Sequence, residues 1–478
     1  MNVRLDLYVI GWLLMLVGGF QVLPLLAAFL YGEVPGPFLV SLACAIAAGF
    51  GLLTATRPRD WRMRPRDGFL VVGVGWVAVS AFGALPYVLG GTLGVVDAWF
   101  ESVSGFTTTG STVMAGLESQ PRGLLLWRSF TQWVGGMGII LFTIAILPLL
   151  GIGGMQLFKA EGPGPVTDKI RPRLADTARR LWFVYVGLTC AEITALVLAG
   201  MTPFDAVCHA FTTLATGGFS TRDLSIGAYE SRLIEWIVIF FMLCGGINFV
   251  LHYRLLGGRW RGVWRDAELR YFLRVVAVAT ALVTIELLRR SHSVEAAIRL
   301  AAFQVVSCVT STGFVSADFE RWSPLAHFVL LLLMVLGGMS GSTSGGMKSL
   351  RALLGIRALG VSFERLLHPH VVRSVKYGGE SVGEDVLAGV WAFFTAYLAL
   401  AMAASAALTA AGYDIVTAVS AVFTTMGNVG PGLGEVGAYD NFAALPTVVK
   451  LVLTFCMLAG RLEIFTLLVL VVPRFWRR

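Results

Sequence analysis

Charge is scarce in this 478-residue chain: 14% of its residues are Asp, Glu, Lys or Arg, while 56% are hydrophobic. Soluble globular domains carry about 25% charged residues. The shortage excludes a water-exposed globule and leaves a polytopic membrane protein, long enough for about ten spans of about 20 residues each. Cysteine is sparse too. Cys44, Cys190, Cys208, Cys244, Cys308 and Cys456 all fall in apolar segments without CxxC spacing, which removes a disulfide framework and a zinc site. No Walker motif is present, so the chain carries no ATPase site of its own.

Lysine and arginine gather in the links between apolar runs. There are five in 57–66, six in each of 159–180, 254–274 and 348–376, and three in 474–478. This distribution sets those links, and both termini, on the cytoplasmic side. Arg289 and Arg290 are the main exception. The net charge of +8 resides in these loops without an aromatic-basic surface, so nucleic acid is not implied as a partner. Two spans open the chain, at about 7–30 and 37–56, joined by the Gly/Pro turn YGEVPGP. The first run is long enough to span and no convincing cleavage site follows it, so it reads as an uncleaved helix.

From residue 57 a pattern recurs four times. A long apolar helix leads to a shorter, more polar stretch that ends in a Thr/Ser-rich glycine turn, and a second long apolar helix follows. The turns read TTTGS (107–111), LATGG (214–218), TSTGF (310–314) and TTMGN (424–428), with central glycines taken as Gly110, Gly217, Gly313 and Gly427. Asp97 and Asp414 both stand 13 residues before their glycine, and Phe100 and Phe303 both stand 10 before. A glycine pair returns in the second helix as Gly135-Gly136, Gly245-Gly246 and Gly337-Gly338, with Ala459-Gly460 in the fourth unit. The basic loops bracket these units, so each enters from the cytoplasm, turns near the outside and returns. The expected division is 1–56, 57–158, 159–253, 254–347 and 348–478.

The stretch of about 10–14 residues before each turn is too short to span and suits a re-entrant helix. Bare backbone at that depth is tolerated only where protein buries it or where it lines a water-filled cavity. Four such loops on one axis would present rings of carbonyl oxygens able to replace the water shell of a cation. Glycine allows successive carbonyls to face one side, threonine adds a hydroxyl, and the helix C-termini aim partial negative charge at the cavity below. The expected ligands are carbonyls of Thr108, Thr109, Gly110 and Ser111; Ala215, Thr216, Gly217 and Gly218; Ser311, Thr312, Gly313 and Phe314; and Thr425, Met426, Gly427 and Asn428. Small residues at a helix-packing interface are the alternative; they account for one such turn more readily than for four in matching places.

The turns TTTGS, ATGG, STGF and TMGN, the stretch GGMSGSTSGGMK and the late GRLE resemble the TrkH branch of the Trk/Ktr/HKT potassium transporters, over about residues 57–478. The two extra N-terminal spans also fit that branch. The resemblance implies an all-α polytopic fold of four helix–re-entrant loop–helix repeats in pseudo-fourfold arrangement. It implies a potassium pore in the inner membrane built from one chain, with K+ as the transported ion and no organic cofactor. Its implied partners are a second copy in a homodimer and a cytosolic nucleotide-binding subunit of the TrkA type. Only glycine is common to all four turns, so potassium preference with weaker rejection of sodium is expected.

Residues 336–348, LGGMSGSTSGGMK, hold too many glycines and hydroxyls for a continuous helix. They form either a kinked helix with a small-residue interface or a loop beneath the ring. The resemblance implies the loop, with Gly338, Ser340, Gly341, Ser342, Thr343, Ser344, Gly345 and Gly346 obstructing the path. Arg461 lies about 20 Å up the last helix from Arg474, at about 1.5 Å per residue. A charge there is costly and faces a pore or a partner. It is read as lining the cavity, opposing a passing cation and touching the 338–346 loop. The alternative is a pair with Glu463 or another acid, although side chains two apart on a helix do not face each other. Lys348 is expected to end its helix near cytoplasmic water, and Lys450 to snorkel at an outer helix end. Glu192 and Asn248 read as interhelical hydrogen-bonding residues, and His209 as a satisfied core residue.

Three other readings compete. An ion-coupled secondary transporter often uses inverted repeats, whereas these four units run the same way. Gly338-Met339-Ser340-Gly341 matches the motif of rhomboid-like intramembrane proteases, whose serine needs a histidine on a neighbouring helix. The six histidines mostly fall in loops or at helix ends. Gly432–Gly437 matches GxGxxG but follows a re-entrant turn instead of a strand.

Overall fold

The computed structural model describes residues 2–61, 64–145, 170–290 and 293–477. Six helices among them are long and apolar enough to cross a membrane: Val3–Leu30, Gly36–Ala55, Arg66–Leu89, Thr177–Leu198, Ala267–Arg289 and Glu384–Ala410; a bent pair supplies a seventh. The protein is an all-α polytopic membrane protein, and the only strands among the described residues form the hairpin Lys376–Tyr377 with Glu380–Ser381. The first two spans are the N-terminal pair expected from hydropathy. They cross where Gly11 meets Gly49, whose Cβ, if present, would stand 2.7 Å from the Gly11 carbonyl oxygen. Small residues at such crossings let membrane helices bring their backbones together.

The other four spans lead the four repeats. Each is followed by a short helix: Val95–Phe106, Pro203–Leu214, Val294–Val309 and Ile415–Gly427. Capping side chains start three of them. Thr202 accepts from Asp205 N–H, Ser293 from Ala296 N–H, and Asp414 from Val416 and Thr417 N–H. Gly94 caps the first.

A return helix completes each repeat. The first, Arg122–Ala145, is continuous. The second is Arg232–Gly246 and then Phe249–Leu256, bent by 104°. The third runs from Pro324 to Leu336 and resumes at Ser349–Leu367; the fourth is Thr447–Arg461 and then Phe465–Val471. A break was expected only in the third. In the second, Asn248 departs from the helix and caps the lower segment, its Oδ1 accepting from Val250 N–H at 2.8 Å. In the fourth, Glu463 and Ile464 take φ of 61° and 40°, a region forbidding to a β-branched residue. Arg351, stacked 4.0 Å over the Phe393 ring, holds that bend by pairing with Glu463.

Both lysine expectations need correction. Lys450 does not snorkel: it is buried, and its ammonium donates to Asp97 Oδ1 at 2.6 Å and to the Ala443 carbonyl at 2.9 Å. Lys348 does not end a helix. It precedes Ser349–Leu367 with φ of 68° and turns its ammonium back onto the Ser344 carbonyl. Glu192 is buried in the second leading helix. Of the basic stretch 159–180, residues 159–169 lie outside the described residues, as does the expected boundary at 158–159.

Candidate functional site

All four short helices end alike. Thr108, Thr216, Ser311 and Asn428 adopt φ of 51°, 53°, 53° and 53°. Each N–H bonds the carbonyl three residues back, while the next N–H reaches five back: Thr109 to Ser104, Gly217 to Thr212, Thr312 to Ser307 and Val429 to Thr424, at 2.8 to 2.9 Å. This is the Schellman closure that satisfies the last helical carbonyls, here with side-chain oxygens at the place glycine usually takes. One residue later comes a glycine with positive φ: Gly110 at 84°, Gly218 at 76°, Gly313 at 81° and Gly430 at 109°.

These glycines join the repeats. A Cβ on Gly110 would overlap the carbonyl oxygen of Gly217, one on Gly218 that of Thr312, and one on Gly313 that of Val429. On Gly430 it would stand 3.0 Å from the carbonyl oxygen of Thr109. The order one, two, three, four and back to one closes a ring. The carbonyls of Thr109, Gly217, Thr312 and Val429 therefore occupy equivalent places, each against the glycine of the preceding repeat. The closing seam is reinforced: Asn428 Nδ2 donates to Thr109 Oγ1 at 2.8 Å, Ser111 Oγ to the Gly430 carbonyl at 3.0 Å, and Phe442 N–H to the Thr112 carbonyl at 2.8 Å.

The register differs from the one the turn motifs suggest. Gly218, not Gly217, matches Gly110, and Gly430, not Gly427, completes the set. Thr425, Met426 and Gly427 are the last residues of the fourth short helix, and Ala215 caps the second. Val429 and Gly430 hold the places assigned to them, while Ser111 and Phe314 follow their ring glycines. In the fourth turn the misleading signal is the aspartate pair. Asp414 caps its helix, whereas Asp97 sits in the first turn of a helix capped by Gly94. Counting from the caps restores the register. Gly94 to Thr108, Thr202 to Thr216 and Asp414 to Asn428 are each 14 residues; Ser293 to Ser311 is 18.

A buried ion pair braces the ring. Glu101 on the first short helix accepts from Arg128 Nε at 2.5 Å, from Thr112 Oγ1 at 2.9 Å and from Val113 N–H at 2.9 Å. Arg128 also donates to the Ser220 carbonyl at 2.8 Å and lies 3.8 Å over the Phe219 ring, so the first and second loops share one strut. His209 is satisfied as expected, between the Asp205 carbonyl and Ser220 Oγ at 2.7 and 2.9 Å. Removing one partner of a buried pair strands the other charge, at about 3–5 kcal/mol. Arg128→Met is therefore expected to lower the thermal midpoint of detergent-solubilised protein sharply. Arg128→Met combined with Glu101→Gln is expected to recover much of that loss.

Residues 337–348 form a compact loop against the helix-end side of the ring. Thr343 Oγ1 donates to the carbonyls of Leu214 and Gly245 at 2.8 and 3.0 Å, and the Thr216 hydroxyl lies 3.4 Å away. Ser344 Oγ meets Ser311 Oγ at 2.9 Å, and Gly345 N–H donates to the same Ser311 oxygen at 2.6 Å. Gly338 N–H bonds Ser344 Oγ at 2.8 Å, while Gly341 O accepts from Phe249 N–H at 3.2 Å. Glu268 accepts from Ser340 N–H at 2.6 Å, and Ser342 and Gly346 are buried. Arg461 reaches this loop. One guanidinium nitrogen donates to the Thr343 carbonyl at 2.7 Å and another to the Gly135 carbonyl at 3.2 Å. The pairing with Glu463 is not formed, since Glu463 is taken by Arg351. Thr108 Oγ1 and Asn428 Oδ1 are buried without a hydrogen-bond partner among the described residues.

Residues 37–478 match the family TrkH, described as cation transport protein. The chain is 43% identical over 484 residues to the Trk system potassium uptake protein TrkH of Escherichia coli K12, and 42% identical over 487 residues to that of Vibrio parahaemolyticus, with full coverage of both chains in each case. The crystal structure of the potassium transporter TrkH from Vibrio parahaemolyticus superposes with a TM-score of 0.91 at 39% identity, covering all of both chains.

Proposed function

Because the chain belongs to the TrkH family of cation transport proteins, we propose that it takes up potassium across the cytoplasmic membrane through a channel-like pore, with the four-carbonyl ring as its filter. The observation that supports this most directly is the closure of the ring: four separate turns meet through one repeated glycine–carbonyl contact. Carbonyls of Thr109, Gly217, Thr312 and Val429 would replace the hydration shell of K+. The hydroxyls of Thr108, Thr216 and Ser311 and the amide oxygen of Asn428 would form an inner tier. Residues 1–56 precede the four repeats, taken as 57–158, 159–253, 254–347 and 348–478.

The loop at 338–346 and Arg461 are the proposed barrier. The loop's bonds to Thr216 and Ser311 would occupy the inner tier, and a guanidinium below it would repel an arriving cation. Thr343→Val deletes the donor to Leu214 and Gly245. At about 1 kcal/mol per lost hydrogen bond, basal flux is expected to rise about fivefold or more, read as rubidium uptake into proteoliposomes. The proposed regulator is a cytosolic nucleotide-binding subunit of the TrkA type. It would dock on the cytoplasmic basic loops, especially 159–180 and 348–376, where Arg365, Arg373 and Lys376 are exposed, and the transporter would act as a homodimer with both termini cytoplasmic.

Ion flux from purified protein in liposomes tests the reading. Potassium and rubidium are expected to pass well ahead of sodium and lithium without an imposed proton or sodium gradient. Equal passage of all four ions would sink the filter, and strict dependence on a second gradient would favour a coupled transporter.

A further inference from the structure

The four quarters of the ring differ in one respect that the turn motifs do not reveal. Gln132, fully buried on the first return helix, donates from Nε2 to the Gly217 carbonyl at 2.7 Å. Its Oε1 accepts from Phe219 N–H at 3.1 Å, and the two bonds together fix the orientation of the amide. Three residues before the glycine pair, the other return helices carry Met242, Met334 and, before Ala459-Gly460, Cys456, none of which offers an amide N–H. Gly217 is also the only ring-carbonyl residue without a side chain; Thr109, Thr312 and Val429 stand in its place elsewhere. A Cβ on Gly217 would overlap the Gln132 amide, so glutamine and glycine are a matched pair.

We propose that Gln132 is a positioning residue for ion selection, acting through the Gly217 carbonyl. This deepens, and rests on, the reading of the ring as the filter. A carbonyl oxygen has two lone pairs, and the amide N–H takes one. The oxygen is thereby pinned, and the N–H dipole opposes the attraction it exerts on a cation. Sodium and lithium, being smaller, need oxygens that draw inward and act with a strong field. A tethered, weakened carbonyl gives them less on both counts, whether selectivity comes from cavity size or from field strength. The second quarter would thus reject small ions more firmly than its neighbours.

The test compares potassium and sodium flux into proteoliposomes for the full chain, Gln132→Met, and Gln132→Met combined with Gly217→Thr. The double variant reproduces the residue types of the third quarter, Met242 and Thr312; φ of Gly217 is not positive, so its backbone conformation suits threonine. Losing one hydrogen bond is expected to lower the potassium-to-sodium ratio about fivefold in Gln132→Met, and the double variant is expected to stay low. An unaltered ratio in Gln132→Met overturns the proposal. A double variant that regains the full-chain ratio overturns it too, because glutamine would then merely fill space. Should Gln132→Met fail to elute as a folded species, the double variant alone decides. Gly313→Ser is run alongside: if it also leaves selectivity intact, the filter reading itself is at fault.

Discussion

Arg461→Ala is expected to raise unregulated rubidium flux by about ten- to a hundredfold. Arg461 is buried, and it ties the Thr343 carbonyl to the Gly135 carbonyl through two charged donors. A hydrogen bond from a charged group contributes about 1.5–3 kcal/mol, and each 1.4 kcal/mol is about tenfold in an equilibrium. Alanine removes those ties and the positive charge together, while keeping a residue that suits the helix end. Arg461→Lys separates the two effects. It retains the charge but loses the planar fork, so an intermediate flux is expected. A fall in flux by well-folded Arg461→Ala protein would show that the residue is a structural clamp and no barrier.

Replacing a ring glycine is expected to damage selectivity in a definite order. At Gly110, Gly218 and Gly313 a side chain meets two penalties. A left-handed conformation costs a non-glycine residue about 1–2 kcal/mol, and the new Cβ overlaps a carbonyl of the next repeat. Gly430 has the same conformational demand with a φ of 109°, but its Cβ would keep 3.0 Å from the Thr109 oxygen. Serine at 110, 218 or 313 is therefore expected to abolish potassium preference or transport outright, and serine at 430 to blunt it. The measurement is the potassium-to-sodium flux ratio of the four variants after matching for folded protein. Equal effects at all four positions, or none, would refute the ring geometry as the source of selectivity.

The spans and the re-entrant segments were legible because a bilayer leaves few options. Length and apolarity mark Val3–Leu30 and the four leading helices, and basic loops orient them. The Thr-Thr-Gly and Ser-Thr-Gly turns also announce themselves. The register of the second and fourth turns did not: Gly217 and Gly218 stand side by side in the second, and in the fourth a repeated aspartate spacing outweighed the capping pattern that sets where the short helix starts. Breaks in the second and fourth return helices left no run of glycine and hydroxyls, unlike 336–348. The second rests on a single capping residue, Asn248, and the fourth is held by a distant partner, Arg351 on Glu463 112 positions away. Lys450 illustrates the same limit: its carboxylate partner is 353 residues back in the chain. Gln132 was missed because a lone glutamine in an apolar helix carries no periodic signal, and its role emerges only beside Gly217.

That a single polypeptide supplies every quarter of the ring has a thermodynamic corollary. Sites assembled from separate subunits dissolve on dilution, because their stability depends on protomer concentration. Here the meeting of the four turns is unimolecular, with tethers setting a high effective concentration. The ring is thus immune to dilution in the bilayer, and it never mixes with the quarters of a variant copy made in the same cell. Each of its four walls is free to drift apart in chemistry from the other three.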